Sequence, residues 1–114
     1  MKRGEVWIAN LNPNRGAEVG KISLVVVLQE TALIEAGWET IIVLPLSTQG
    51  QPDSAALRLH IPARGDLRHD CFVLVDQPRT LERKRFADKP LTMLTADELG
   101  RLERSLRAVL GFHP

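Results

Sequence analysis

Two long apolar runs constrain the fold of this chain more than any other feature. Within a predicted strand over residues 23–29, residues 24–28 are continuously apolar and include three consecutive valines, and residues 38–46 are rich in Ile, Val and Leu. Each run has the length of a strand, and a strand that lacks polar alternation is typical of burial on both faces. The two runs therefore predict strands at the centre of a sheet that is covered on each side.

Four shorter segments complete the predicted architecture. Residues 4–9 place successive side chains on opposite faces of a first strand, and residues 57–61 alternate apolar and polar side chains, which predicts one solvent-facing side. Residues 71–76 and 91–94 are apolar and predict two further short strands. Residues 80–86 are polar and basic, and we interpret them as a short helix or a turn.

The end of the chain carries the clearest helical signal. Thr95 and Glu98 have the spacing of a capping box, in which each side chain accepts a hydrogen bond from the other residue's backbone N–H. From Leu99 onward apolar residues recur every three or four positions, and Gly111 favours termination. A shorter helix over residues 31–36 is also predicted. Several strands with one terminal helix predict a mainly β fold, a bent antiparallel sheet or small barrel covered by that helix.

Composition excludes several classes of protein. The chain has 114 residues, and we predict a single domain over residues 1–114. Its apolar runs are far shorter than the ~20 residues of a membrane span, and no charged-then-apolar leader opens it. The one cysteine, Cys71, gives neither an internal disulfide nor a metal-binding pair, so we predict no metal, no cofactor and a cytoplasmic location.

Five short motifs follow one another along the chain. They are Lys2-Arg-Gly-Glu-Val-Trp7, Asn12-Pro-Asn-Arg-Gly-Ala-Glu-Val-Gly-Lys21, Pro45-Leu-Ser-Thr-Gln49, Leu74-Val-Asp-Gln-Pro-Arg-Thr80 and Leu94-Thr-Ala-Asp-Glu-Leu99. In this order they resemble the motifs of the MazF/PemK family of toxins, and the resemblance covers nearly the whole chain.

The resemblance implies a fold, an activity and two kinds of partner. The fold is an SH3-like barrel of the CcdB/MazF type, assembled as a homodimer. The activity is that of a type II toxin, an endoribonuclease (mRNA interferase) that cuts single-stranded RNA at short sequences without a metal. The other partner is a cognate antitoxin, whose extended tail blocks the RNA groove.

Metal-free RNA cleavage uses the ribose 2′-OH as the nucleophile, and it needs a base, an acid and a cation beside the phosphate. In the family, an Arg-Pro pair supplies the cation, and a hydroxyl after the third strand binds the phosphate. The resemblance places Ser23 and Leu24 at the Arg-Pro positions, and serine carries no charge. The predicted catalytic residues are Ser23, Ser47, Thr48 and Lys21.

The missing arginine leaves three interpretations open. In the first, the protein binds RNA and cuts it poorly. In the second, a nearby cation replaces the arginine, and the candidates are Lys21, Arg15 and Arg79. In the third, the protein is an inactive RNA-binding or protein-binding module, as are the related toxins that poison gyrase. We favour the ribonuclease lineage.

A second set of polar and basic side chains is predicted to bind RNA. The resemblance places the Asp-Gln-Pro-Arg motif in the RNA groove, and the basic run after it is able to hold phosphates electrostatically. The predicted RNA-binding residues are Asn12, Arg15, Gln49, Gln77, Arg79, Lys84 and Arg85.

Other side chains receive structural interpretations. We expect Asp76 to pair with Arg79, its neighbour in the Asp-Gln-Pro-Arg motif. Trp7 and Trp38 occur in predicted strands and are expected to pack in the core, as is the small side chain of Cys71.

Overall fold

The structure, a computed structural model, describes residues 1–11, 22–49 and 58–112. Within these ranges a single 3₁₀ turn, Arg83–Arg85, accompanies the regular elements. The strands are β1 (Glu5–Asn10), β2 (Ile22–Val27), β3 (Thr40–Ser47), β4 (Arg58–Ile61), β5 (Cys71–Leu74), β6 (Arg79–Glu82) and β7 (Thr92–Met93), and the helices are α1 (Thr31–Glu35) and α2 (Ala96–Leu110).

The strands form one antiparallel sheet that curls back on itself. β3 pairs with β2 along one edge, and along the other it pairs first with β6 and then with β5. After β6 the chain returns to the outer edge of β1, where Phe86 bridges Ala9 and the Ala87 N–H donates to the carbonyl of Ile8. The curl closes a small barrel and confirms the predicted bent antiparallel fold.

The curl creates an apolar core on each face of the central strands. The barrel interior is filled by alternate side chains of its four strands, namely Trp7, Ala9, Val25, Val27, Ile41, Val43 and Leu81. The outer face is covered by β4, β5 and α2, which bring Leu59, Ile61, Val73 and Leu102 against Val6, Val26, Leu44 and Leu46. Burial on both faces is confirmed for residues 25–27 and 43–46, and Cys71 is buried as predicted.

Two predictions about local structure are wrong. Residues 80–86 do not form a helix or turn throughout, because β6 pairs with the first half of β3 before the 3₁₀ turn begins. Trp38 is 49% exposed, because β3 begins only at Thr40 and the indole belongs to the turn after α1. That turn passes through Gly37, whose φ of +98° is readily adopted only by glycine.

The predicted capping box begins α2. The Thr95 hydroxyl accepts from the Glu98 N–H at 3.1 Å, and the Glu98 carboxylate accepts from the Thr95 N–H at 2.8 Å. The Glu98 side chain, only 7% exposed, also accepts two hydrogen bonds from the Arg64 guanidinium, at 2.8 and 2.5 Å. Chiefly because of Arg64, the pKa of Glu98 is held below its usual value. Gly111 ends the helix with φ +79°, as predicted.

Glu98→Gln tests the contribution of this buried carboxylate. We expect a loss of about 2 kcal/mol in the free energy of unfolding at pH 7, because the charge facing Arg64 is removed. The native pKa of Glu98 is lowered, so the wild-type advantage is complete above the unfolded-state pKa of about 4.3. It then disappears as the pH falls through the native pKa. Urea unfolding at several pH values measures the difference.

Glu103→Gln is the matched control for this prediction. Glu103 lies on the same helix and pairs with Arg3 at 3.0 Å, but its side chain is 46% exposed. Exposed ion pairs contribute at most about 1 kcal/mol, so we expect a smaller loss at pH 7. Equal losses from the two variants would contradict the role assigned to Glu98.

Candidate functional site

A polar cavity of about 900 Å³ opens at one end of the barrel. The strand registers bring together at this end the last residues of β1 and β3 and the first residues of β2 and β6. The cavity also reaches the connection between β5 and β6. Six predicted site residues line it, namely Ser23, Ser47, Thr48, Gln49, Gln77 and Arg79.

The two serines of the cavity lie on neighbouring strands. In the pairing of β2 with β3, Leu24 lies opposite Leu46, and one residue further along the same register Ser23 lies opposite Ser47. Side chains two residues apart along a strand share a face, so both serines follow the barrel-core residues Val25 and Val43 toward the opening. The hydroxyls therefore lie where the apolar interior of the barrel gives way to solvent.

Ser47 also shapes the turn that follows β3. Its hydroxyl accepts from the Gln49 N–H at 3.0 Å and lies 3.4 Å from the Gln49 carbonyl. A hydroxyl that binds the backbone two residues ahead is a common stabiliser of turns. Thr48, between them, is exposed, so a second hydroxyl is presented beside that of Ser47.

Arg79 brings a positive charge to the cavity. It lies opposite Val43 on β3 and shares a face of β6 with the buried Leu81, so its side chain is directed toward the barrel opening. There its Nη2 donates to the carbonyl of Leu11 at 3.0 Å. An arginine side chain has five N–H donors, and among the described residues this is the one hydrogen bond that the Arg79 guanidinium makes.

Asp76 does not pair with Arg79, so this expectation is wrong. Its Oδ1 accepts instead from Arg58 Nη1 at 2.6 Å. The cause is the register of β4 and β5, which sets Arg58 opposite Leu74, two residues before Asp76. The hydrogen bond from Arg58 lowers the pKa of Asp76. Asp76 is therefore the anionic half of a separate ion pair, and the charge of Arg79 faces the cavity.

The basic residues after β6 lie outside the described cavity lining. Arg83 donates to the carbonyl of Ile34 in α1 and to that of Trp38 in the turn that follows, and Arg85 Nη1 donates to the carbonyl of Asn10 at 3.3 Å. Lys84 is 67% exposed and lies 3.4 Å from Glu82. The structure thus does not bring Lys84 and Arg85 together with the six cavity residues.

Three predicted site residues, Asn12, Arg15 and Lys21, lie outside the described residues. Sequence reasoning missed two groups that shape the site, the Leu11 carbonyl that binds Arg79 and the Arg58 guanidinium that binds Asp76. A backbone carbonyl leaves no trace in a sequence. The only signal for Arg58 is its place in the register of β4 and β5, which a single sequence does not specify.

Residues 1–11, 22–49 and 58–112 contain no cluster of three or more His, Cys, Asp and Glu side chains that is suited to a metal ion. No helix in those ranges combines the length and apolar character needed to cross a membrane.

Comparison with known proteins identifies the family. Residues 2–110 match the sequence model of the family described as PemK-like, MazF-like toxin of type II toxin-antitoxin system. The chain belongs to this family. Endoribonuclease MazF of Staphylococcus saprophyticus is 30% identical over 116 aligned positions, which cover 99% of this chain and 93% of that protein.

Solved structures of MazF-type proteins share the fold. The MazE-MazF structure from Deinococcus radiodurans superposes with a TM-score of 0.79 at 22% identity, covering 99% of this chain and 98% of that one. A mycobacterial endoribonuclease in complex with its cognate antitoxin gives a TM-score of 0.77 at 17% identity, covering 100% and 98%. The predicted MazF/PemK relationship and the predicted fold are both confirmed.

Arg58→Ala tests the pairing that separates Asp76 from Arg79. Without Arg58, the pKa of Asp76 should rise toward the ordinary aspartate value of about 3.9. A pH titration of the side-chain carboxyl resonances by NMR measures the change. Asp70 is the internal control, because its pKa is lowered chiefly by the Ala63 N–H and by His60. An unchanged Asp76, or an equal shift of Asp70, would contradict the pairing.

Proposed function

We propose that this protein is the toxin of a type II toxin-antitoxin pair and acts as an endoribonuclease on single-stranded RNA, without a metal. The observation that carries the proposal is that the hydroxyls of Ser23, Ser47 and Thr48 line a single cavity of a MazF-family fold together with the guanidinium of Arg79. Its partners are the RNA and a cognate antitoxin, its working form is a cytoplasmic homodimer, and a MazF of 30% identity named as an endoribonuclease supports the activity.

The cavity contributes binding and orientation to the reaction. Ser47 and Thr48 are able to donate hydrogen bonds to the phosphate, and Ser23 adds a third hydroxyl on the neighbouring strand. Holding the 2′-OH in line with the P–O5′ bond lowers the barrier, because orientation is fixed before attack. The described lining contains no His, Asp or Glu, so positioning and charge stabilisation are the roles we assign to it.

Base selection rests on hydrogen bonds rather than on stacking. Gln49 and Gln77 line the cavity, and each side-chain amide carries both donors and an acceptor suited to base edges. The described lining includes no aromatic ring on which a base could stack. Lys84 and Arg85, outside that lining, are proposed to attract the RNA backbone electrostatically, together with Arg15. Asn12 is proposed to hydrogen-bond to the RNA through its side-chain amide.

Ser47→Ala tests the proposed site. We expect cleavage of a long single-stranded RNA in the presence of EDTA to fall by about 100-fold, because a donor to the phosphate is lost. The matched control is Ser105→Ala, since Ser105 lies on α2 and outside the described cavity lining. Gel analysis of the fragments gives both rates. Wild-type activity from Ser47→Ala, or loss of wild-type cleavage in EDTA, would contradict the proposal.

Binding without turnover is the second candidate function. The observation that favours it is the uncharged Ser23, which occupies the position implied for the family arginine. Ser23→Arg separates the two candidates in the same EDTA assay. A protein that binds RNA yet cuts none of it, with or without this substitution, is a binding module.

A further inference from the structure

Attack by a 2′-OH on a phosphate places added negative charge on the phosphoryl oxygens, so the site needs a cation next to them. Position 23 carries a serine and supplies no charge. Among the described residues that line the cavity, Arg79 is the one with a formal charge. We infer that Arg79 is the catalytic cation, reaching the phosphate from β6 instead of from β2. The inference rests on the proposed ribonuclease function.

The strand order explains how an arginine on β6 serves a site on β2. β2 and β6 lie on opposite edges of β3, and the side chains of Ser23 and Arg79 both belong to the barrel-interior face. Arg79 donates to the carbonyl of Leu11, just after β1, and β1 is the direct neighbour of β2. The guanidinium therefore extends across the opening to the side of the barrel that carries Ser23.

Among the described residues, the hydrogen-bond partner of the Arg79 guanidinium is a carbonyl oxygen and not a carboxylate. A carbonyl oxygen orients the guanidinium through one N–H but contributes no negative charge. Four other arginines of the described residues are paired with carboxylates and are unsuited to the role. These are Arg3 with Glu103, Arg58 with Asp76, Arg64 with Glu98, and Arg101 with Asp97.

Arg79 acts by charge and not by proton transfer, because a guanidinium stays protonated in proteins. The 2′ oxygen forms a bond to phosphorus as the P–O5′ bond breaks. The 2′ proton leaves to solvent, and the departing O5′ takes a proton from solvent. Throughout, the N–H groups of Arg79 that do not bind Leu11 donate to the non-bridging phosphoryl oxygens, whose charge increases on the way to the transition state.

Arg79→Gln and Arg79→Lys separate a catalytic role from a structural one. Gln keeps a donor for the Leu11 carbonyl but removes the charge, whereas Lys keeps the charge. We expect Arg79→Gln to lower kcat for RNA cleavage in EDTA by about 1000-fold with little change in KM, and Arg79→Lys to retain part of the activity. Arg101→Ala, which removes an exposed arginine on α2, is the control for net charge.

The decisive combination is Arg79→Gln with Ser23→Arg. If charge is what Arg79 supplies, an arginine introduced at position 23 restores kcat at least tenfold in the Gln background. Wild-type kcat from Arg79→Gln, or no restoration in the double variant when thermal unfolding is unchanged, overturns the inference and leaves the ribonuclease function intact. No cleavage by wild type, with cleavage by Ser23→Arg, also overturns it. If neither the wild type nor Ser23→Arg cleaves RNA, the ribonuclease function itself is rejected.

Discussion

One edge of β3 pairs with two different strands, and the rest of the structure depends on this arrangement. The first half of that edge pairs with β6 and the end of it pairs with β5, so two strands share one partner and must diverge. Pro45 lies in the interval between the two pairings, where its missing N–H interrupts neither of them. Divergence curls the sheet into a barrel on one side and leaves an outer face for β4, β5 and α2 to cover on the other.

The cavity is a consequence of the same divergence. Where β5 and β6 separate, the segment that connects them lies beside the end of β3, and Gln77 and Arg79 come to face Ser47. The hydroxyls occupy rigid strand ends, and the guanidinium is held by a main-chain carbonyl. Such a site is largely organised before a ligand arrives, which favours catalysis by positioning and charge.

Local patterns predicted most of the elements, and pairing between distant strands explains what they missed. The apolar runs and the capping box of Thr95 and Glu98 depend on near neighbours in the sequence. The two runs supply the central strands β2 and β3, although β3 begins only at Thr40, and the capping box begins α2 as expected. The partner of Asp76 and the strand character of β6 depend on long-range register instead. The composition of residues 79–82 does not favour a strand, and these residues form one because they pair with β3.

The site residues show the same contrast between what the sequence predicts and what the folded structure adds. The resemblance of the motifs to those of the MazF/PemK toxins selected the six residues, and the structure places all six in the lining of one cavity. The same reasoning grouped Lys84 and Arg85 with them by proximity in sequence. In the structure both residues belong to the 3₁₀ turn and lie outside the described cavity lining, and Arg85 donates to the carbonyl of Asn10 at the end of β1.

The most direct test of the account is mass spectrometry of the RNA fragments that the protein produces in the presence of EDTA. Attack by the 2′-OH leaves a cyclic phosphate on one fragment and a 5′-hydroxyl on the other, and the account predicts these ends. Fragments that end in a 3′-hydroxyl and a 5′-phosphate would show that water, and not the ribose, is the nucleophile, and they would contradict the account.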